Sequence, residues 1–236
     1  MYQTTAGREE EQLAGAAAAV VQLTAPVFDD LAELGRVAGQ LVDLRRQPAL
    51  AAPDDWDALE PLVTALLRQR ELASGAGLAV QPATAEAVPA MAWWVVRDGT
   101  VRAKQHVLNP RSDSFYDVTQ ARWFRLPFAT GVRTLLAPYV DSWGTDDVTM
   151  TAALPLLLDG AVVGVVAADL DVRAYLDQVE QIIAAVGATA LLDEDDRVIV
   201  ATHPRLEAGT RLLATDIGPV RGRSSIPEFG WAVVRL

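Results

Sequence analysis

The sequence has no cysteine among its 236 residues and only two histidines, His106 and His203. The first absence excludes disulfides, thiol nucleophiles and thiolate metal sites. Neither histidine has a carboxylate at metal-ligand spacing beside it, so no metal site is expected. Catalytic signatures are missing as well: there is no G-x-S-x-G elbow, no P-loop and no H-E-x-x-H pattern. With no nucleophile–base pair legible, the chain reads as a non-enzyme that needs no cofactor. Basic residues are in the minority, 20 Lys and Arg against 31 Asp and Glu, for a net charge of −11. Duplex nucleic acid, whose phosphates demand clustered cations, is therefore not an expected partner.

Long hydrophobic runs are scarce too. The one segment resembling a leader or a membrane span is "LAGAAAAVVQLTAPVF" (Leu13 to Phe28). Glu9, Glu10 and Glu11 precede it where a signal peptide needs positive charge. It is rich in alanine, is interrupted by Gln22 and Pro26, and falls short of about twenty strongly apolar residues. The reading is a helix packed on protein, in a soluble, cytoplasmic chain with no membrane span.

What is present changes character along the chain. Up to residue 72 the pattern is helical, with Leu31, Leu34, Val37 (or Ala38), Leu41 and Leu44 at three- and four-residue spacing. Thr24 with Pro26 predicts a break or kink. "QPALAAPDD" (Gln47 to Asp55) predicts a turn, and Asp54 or Asp55 a cap for a second helix. This region is either a helical hairpin covering a sheet or a dimerisation stalk. "ASGAGLAV" (Ala73 to Val80) marks the boundary; its G-x-G has no strand before it to support a dinucleotide site.

Beyond it, β-type runs alternate with turns. Hairpins are predicted through Asp98-Gly99 and Asp159-Gly160, with Pro155 at an edge or bulge. An amphipathic helix follows from Val172 to Gly187. A strand pair turning at "DEDD" (Asp193 to Asp196), a loop at "RGRSS" (Arg221 to Ser225) and a last strand at "GWAVVRL" close the chain. Hairpins with helices to one side make an antiparallel α+β fold.

One constellation remains. Tyr116, Trp123, Phe124 and Tyr139 are accompanied by Asp141 and Asp169. Each ring taken alone could be core. Asp169, however, ends the apolar run "GAVVGVVAAD", where a buried carboxylate is costly unless paired. A ligand ammonium would pair with it through charge-assisted hydrogen bonds, and aromatic faces around the same cation would add attraction. The competing reading is that Asp169 caps the helix starting near Val172, a role Asp171 could also fill.

At these residues the chain resembles the Cache family of PAS-like ligand sensors, specifically the double-Cache type. "PLLLDGAVVGVVAADLDVRAYL", "ATALLDEDDRVIVATHPRLEAGTRL" and "IPEFGWAVVRL" carry the resemblance, which runs from about Trp93 to Leu236. It implies an N-terminal helical region (1–72), a ligand-binding module (73–187) and an abbreviated second module (188–236). Amino-acid-binding members carry a Tyr, then Arg-x-Trp-Tyr, another Tyr and a later Asp. Tyr116, Trp123, Phe124, Tyr139 and Asp169 match in order, but Ala121 stands where the carboxylate-gripping arginine would be, with Arg122 one position out of register. Asp141 fits the variant found in amine-binding relatives.

The resemblance thus implies a sensor of an amine or amino-acid-like ligand. Tyr116, Trp123 and Tyr139 would wall the site, Trp93, Trp94 and Phe124 would back them, and Asp141 and Asp169 would hold the ammonium. The form implied is stand-alone, with an unidentified output protein as partner and a homodimer through the N-terminal helices as a further expectation. The alternatives are a dimerising interaction protein with a degenerate pocket, and a sensor of amino acids or small carboxylates.

Overall fold

A proline inside a helix removes one backbone hydrogen bond and crowds the preceding turn, and a break or kink was expected at Pro26; the helix is not broken there. In the computed structural model, which describes residues 5–46, 55–81, 89–141, 148–213 and 218–236, a single helix α1 (Thr5–Arg46) runs through it. Apolar burial on both sides holds it: Leu13, Ala16, Ala17 and Val20 before the proline, and Val27, Phe28, Leu31 and Leu34 after it. The Thr24 hydroxyl donates back to the Val21 carbonyl (3.1 Å) instead of capping a new helix.

The turn predicted from Gln47 lies outside the described residues as far as residue 54. Asp55–Leu59 is a 3-10 turn. Helix α2 (Glu60–Gln69) then starts from Leu59 without a side-chain cap, with Pro61 in its first turn. Its fixed φ suits that position; the expected Asp54 cap and the Asp55 side chain lie outside the described residues.

The chain divides into two compact units, residues 26–171 and residues 1–25 with 172–236. No helix among the described residues is long and apolar enough to cross a membrane.

In the unit of residues 26–171, β1 (Ala73–Val80), β2 (Ala90–Arg97), β3 (Thr100–Lys104), β4 (Thr134–Leu135), β6 (Val148–Leu158) and β7 (Ala161–Leu170) form an antiparallel sheet. The strand order is β3-β2-β1-β7-β6-β4, and β5 (Tyr139–Val140) pairs with β6. Asp98 and Gly99, then Asp159 and Gly160, all have positive φ, as two-residue hairpin turns require. Pro155 lies beyond the stretch of β6 that β4 pairs, so its missing N–H disrupts no ladder there. One face of the sheet meets α1 closely: a Cβ on Gly35 would lie 3.5 Å from a Val166 methyl. On α2, Val63, Leu66 and Leu67 are buried, and Arg70 just beyond it grips Asp30 through two hydrogen bonds (2.6 and 3.2 Å). The other face carries the short helix α3 (Arg122–Thr130) and the aromatic cluster.

In the other unit, helix α4 (Val172–Ala184) buries Tyr175, Val179 and Ile183. The strands β8 (Thr189–Leu192), β9 (Val198–Ala201), β10 (Gly222–Ile226) and β11 (Trp231–Arg235) form a second sheet in the order β10-β11-β8-β9. "DEDD" is the hairpin turn expected of it: the Asp193 carboxylate accepts from the backbone N–H groups of Asp195 and Arg197. "RGRSS", expected as a loop, is mostly strand β10, drawn into the ladder by full pairing with β11. The α+β class, the antiparallel sheets and the long N-terminal helix are as the sequence indicates.

Candidate functional site

The site lies on one face of the first sheet, where small residues leave room. Side chains alternate along a strand, so Gly75, Gly77 and Ala79 of β1 share a face with Ala167 and Asp169 of β7. Trp93 of β2 lies across that glycine track. A Cβ on Gly75 would come 3.0 Å from its Nε1. A Cβ on Gly77 would come 2.8 Å from its Cε3 and collide with the Ala92 carbonyl. The segment read as a boundary marker is therefore a central strand, and its glycines let the Trp93 indole settle on the backbone.

Asp169 sits between Gly75 on β1 and Thr151 on β6. It is buried, 8% exposed, and its Oδ1 accepts from the Thr151 hydroxyl at 2.8 Å. Thr151 Oγ1 also lies 2.8 Å from the Tyr139 hydroxyl. With its one hydrogen committed to an ionised Asp169, Thr151 must accept from Tyr139. The chain of bonds runs from the Tyr139 phenol through Thr151 to the carboxylate. Asp169 is the next-to-last residue of β7 and does not cap α4, which begins three residues later at Val172. Burial pushes its carboxyl up to about 7; the Thr151 bond opposes this, Asp141 adds to it and Lys104 opposes it.

The aromatic walls come from the segment before and within α3. The Asp117 carboxylate accepts from the Thr119 N–H (3.2 Å) and hydroxyl (2.6 Å), fixing the turn that leads to Ala121. Ala121 is extended (φ −61°, ψ 135°) and starts α3, which turns Trp123 and Phe124 inward. The Trp123 Nε1–H donates to the Tyr116 hydroxyl at 3.0 Å. Trp123 packs on Trp93 with centroids 5.4 Å apart, and His106 lies over Tyr116 at 5.2 Å. Burial raises the pKa of Tyr116, as does the nearby Asp141 charge, and burial likewise raises that of Tyr139, so both are neutral phenols. Burial, with Lys104 adding to it, lowers His106 to about 4, so it is a neutral imidazole.

Two cavities adjoin these groups. The inner one, about 10 Å³, is lined by Met91, Trp93, Lys104, His106, Tyr116, Trp123, Asp141 and Asp169. The outer one, about 440 Å³, is lined by Phe115, Tyr116, Asp117, Gln120, Ala121, Arg122, Trp123, Tyr139, Val140 and Asp141. Tyr116, Trp123 and Asp141 belong to both.

The six residues singled out from the sequence thus divide. Tyr116, Trp123 and Asp141 line both cavities, Asp169 the inner and Tyr139 the outer. Phe124 lines neither: it is 1% exposed and packs edge-on to Trp123 and stacked on Phe128. Trp93, expected only to back the walls, is itself a wall, whereas Trp94 points to the opposite face by strand alternation. Arg122, one position out of register with the family's arginine, lines the outer cavity. Lys104, His106 and Thr151 were missed. A period-two reading of "VRAKQH" would have found the first two, because Lys104 is the register partner of Trp93. Among the described residues, no group of three or more acidic or histidine side chains is placed to hold a metal ion.

An antiparallel sheet with a small-residue floor, an aromatic wall and a buried carboxylate defines a PAS-like sensor domain. The family model for the methyl-accepting chemotaxis protein-like first PDC sensor domain matches residues 59–176, half of the chain, and the chain belongs to this family. Solved structures agree on the fold. The ligand-binding domain of the Campylobacter jejuni chemoreceptor Tlp3 in complex with L-valine is 12% identical, with a TM-score of 0.64, covering 98% of this chain and 91% of that one. The ligand-binding domain of the Pseudomonas aeruginosa PAO1 amino acid chemoreceptor PctB in complex with L-Arg is 18% identical, with a TM-score of 0.58, covering 95% and 91%. The extracellular domain of soHK1S-Z6 is 15% identical, with a TM-score of 0.57, covering 97% and 93%.

Proposed function

We propose that residues 26–171 form a small-molecule sensor module whose pocket binds an ammonium-bearing ligand, an amine or an amino acid, and whose occupancy is read by a partner protein. The charge balance around the inner cavity carries this reading. Asp141 and Asp169 face it with Lys104 as the one cationic side chain in the lining, while His106 is neutral. With Asp169 ionised, two carboxylates stand against one ammonium in this lining, a set that a ligand cation would complement. In this reading Asp141 and Asp169 hold the ammonium, Tyr116, Trp123 and Tyr139 wall it, and Phe124 supports Trp123 from behind. The amino-acid complexes of the Tlp3 and PctB domains support a zwitterion as one member of the class. Lys104 lines the inner cavity and Arg122 the outer one, and in this reading one of them meets its carboxylate in place of the arginine that Ala121 lacks.

Thermal unfolding against a panel of amines, amino acids and plain carboxylates tests the reading. A ligand at a hundred times its dissociation constant should add about 2.7 kcal/mol of stability. Shifts from acetate or lactate with none from any amine or amino acid would contradict it.

The small volume of the inner cavity and the presence of Lys104 favour one second reading, an interaction protein whose pocket is degenerate and whose α1 helices dimerise. Silence across the whole panel, with a dimer by native mass spectrometry, would support that reading instead.

A further inference from the structure

The inner cavity has the volume of about one water molecule, and its two tryptophan walls are held in place. Trp93 is 5% exposed and rests against the backbone at Gly75 and Gly77. Trp123, 4% exposed, packs on it and is tied to Tyr116 by its indole N–H. The outer cavity is many times larger, shares Tyr116, Trp123 and Asp141 with the inner one, and offers apolar surface at Phe115 and Val140.

We propose that the pocket gauges the ligand's head group: it accepts a primary ammonium in the inner cavity, with the rest of the molecule in the outer cavity, and rejects methylated and quaternary ammonium groups. This rests on the ammonium reading above and narrows it to one chemical class. A primary ammonium is close to water in size and carries three N–H donors. Three acceptor groups line the space: the Asp169 carboxylate, with Oδ2 beyond the Thr151 bond to Oδ1; the Asp141 carboxylate; and the Tyr116 hydroxyl, which keeps a lone pair after accepting from Trp123. Each N-methyl group removes a donor from that set and adds volume to a space with none to spare. Overpacking of this kind forces neighbours off their rotamers, and an acceptor left buried without a partner adds its own cost.

Calorimetric titration of the full chain at about pH 8, above the Asp169 pKa, distinguishes the possibilities with four probes: hexylamine, N-methylhexylamine, hexyltrimethylammonium and hexanoate. The expected result is binding of hexylamine roughly ten-fold or more tighter than of either methylated compound, with no heat from hexanoate. Equal or tighter binding of hexyltrimethylammonium overturns the head-group gauge and leaves the ammonium reading intact. Binding of hexanoate alone, or of none of the four, overturns both. Met91→Ala, which enlarges the inner cavity from one side, should narrow the gap between hexylamine and N-methylhexylamine; an unchanged gap would show that the head group is not selected there.

Discussion

The Thr151 hydroxyl donates to Oδ1 of Asp169 at 2.8 Å, and the two residues are register partners on β6 and β7. The bond stabilises the ionised carboxylate against the burial that raises its pKa. Thr151→Val removes the donor and leaves both Asp169 and the Tyr139 hydroxyl without this partner. The variant should raise the Asp169 pKa above its value of about 7 and destabilise the protein at about pH 8 by about 1–3 kcal/mol. Denaturant unfolding and carboxyl titration by NMR would show both; an unmoved Asp169 pKa would contradict the bond's role.

Asp169 and His106 give opposite pH dependences. Asp169 keeps its proton to about 7 in the folded state, against an ordinary 3.8, so the folded state binds more protons across that window. Its contribution to stability therefore falls as pH rises from about 4 to about 7. His106 is lowered to about 4 from 6.5, so the unfolded state binds more protons and stability rises with pH over that interval. The two slopes offset each other in the unmodified protein. In Asp169→Asn, stability should rise from about pH 4 to about pH 6.5, and in His106→Gln it should fall from about pH 4 to about pH 7. Unfolding midpoints measured across that range would reveal opposite slopes; slopes of the same sign would contradict the assignment.

A methyl group at Gly77 would meet the Trp93 ring and the Ala92 carbonyl. Gly77→Ala should cost about 1–3 kcal/mol of stability through forced displacement of Trp93. It should also weaken ligand binding, because Trp93 is an inner wall. A neutral Gly77→Ala in both measurements would mean that the glycine track does not seat the indole.

Phe124 separates packing from contact. Phe124→Leu leaves an incompletely filled site beside Trp123 and Phe128 and should cost about 1–3 kcal/mol. Ligand affinity, measured well below the unfolding temperature, should stay within a few-fold. A loss of affinity as large as that of Tyr116→Phe or Trp123→Phe would place Phe124 on the ligand after all.

The fold class, the hairpins at Asp98-Gly99 and Asp159-Gly160, and the aromatic–acid group were legible because each rests on local chemistry: alternation, turn residues with positive φ, and a carboxylate closing an apolar run. What was not legible depends on register and close approach. Counted back from the Asp159-Gly160 turn, an unbroken hairpin would set Asp169 opposite Met150. A bulge between Leu156 and Leu157 shifts the ladder by one and brings Thr151 there instead. The strand at "ASGAGLAV" was hidden because glycine weakens strand propensity, although here it supplies the space under Trp93. The continuity of α1 through Pro26 was hidden because apolar burial on both sides outweighs one missing hydrogen bond.

The central claim is that the Asp169 carboxylate holds a ligand ammonium. Calorimetric titration of primary amines into the unmodified protein and into Asp169→Asn, at about pH 8 where the carboxylate is ionised, tests it most directly. The account predicts binding that weakens as pH falls through about 7 in the unmodified protein, and its loss in a still-folded Asp169→Asn. Amine binding of the same strength in Asp169→Asn, or no dependence on pH across that range, would contradict it.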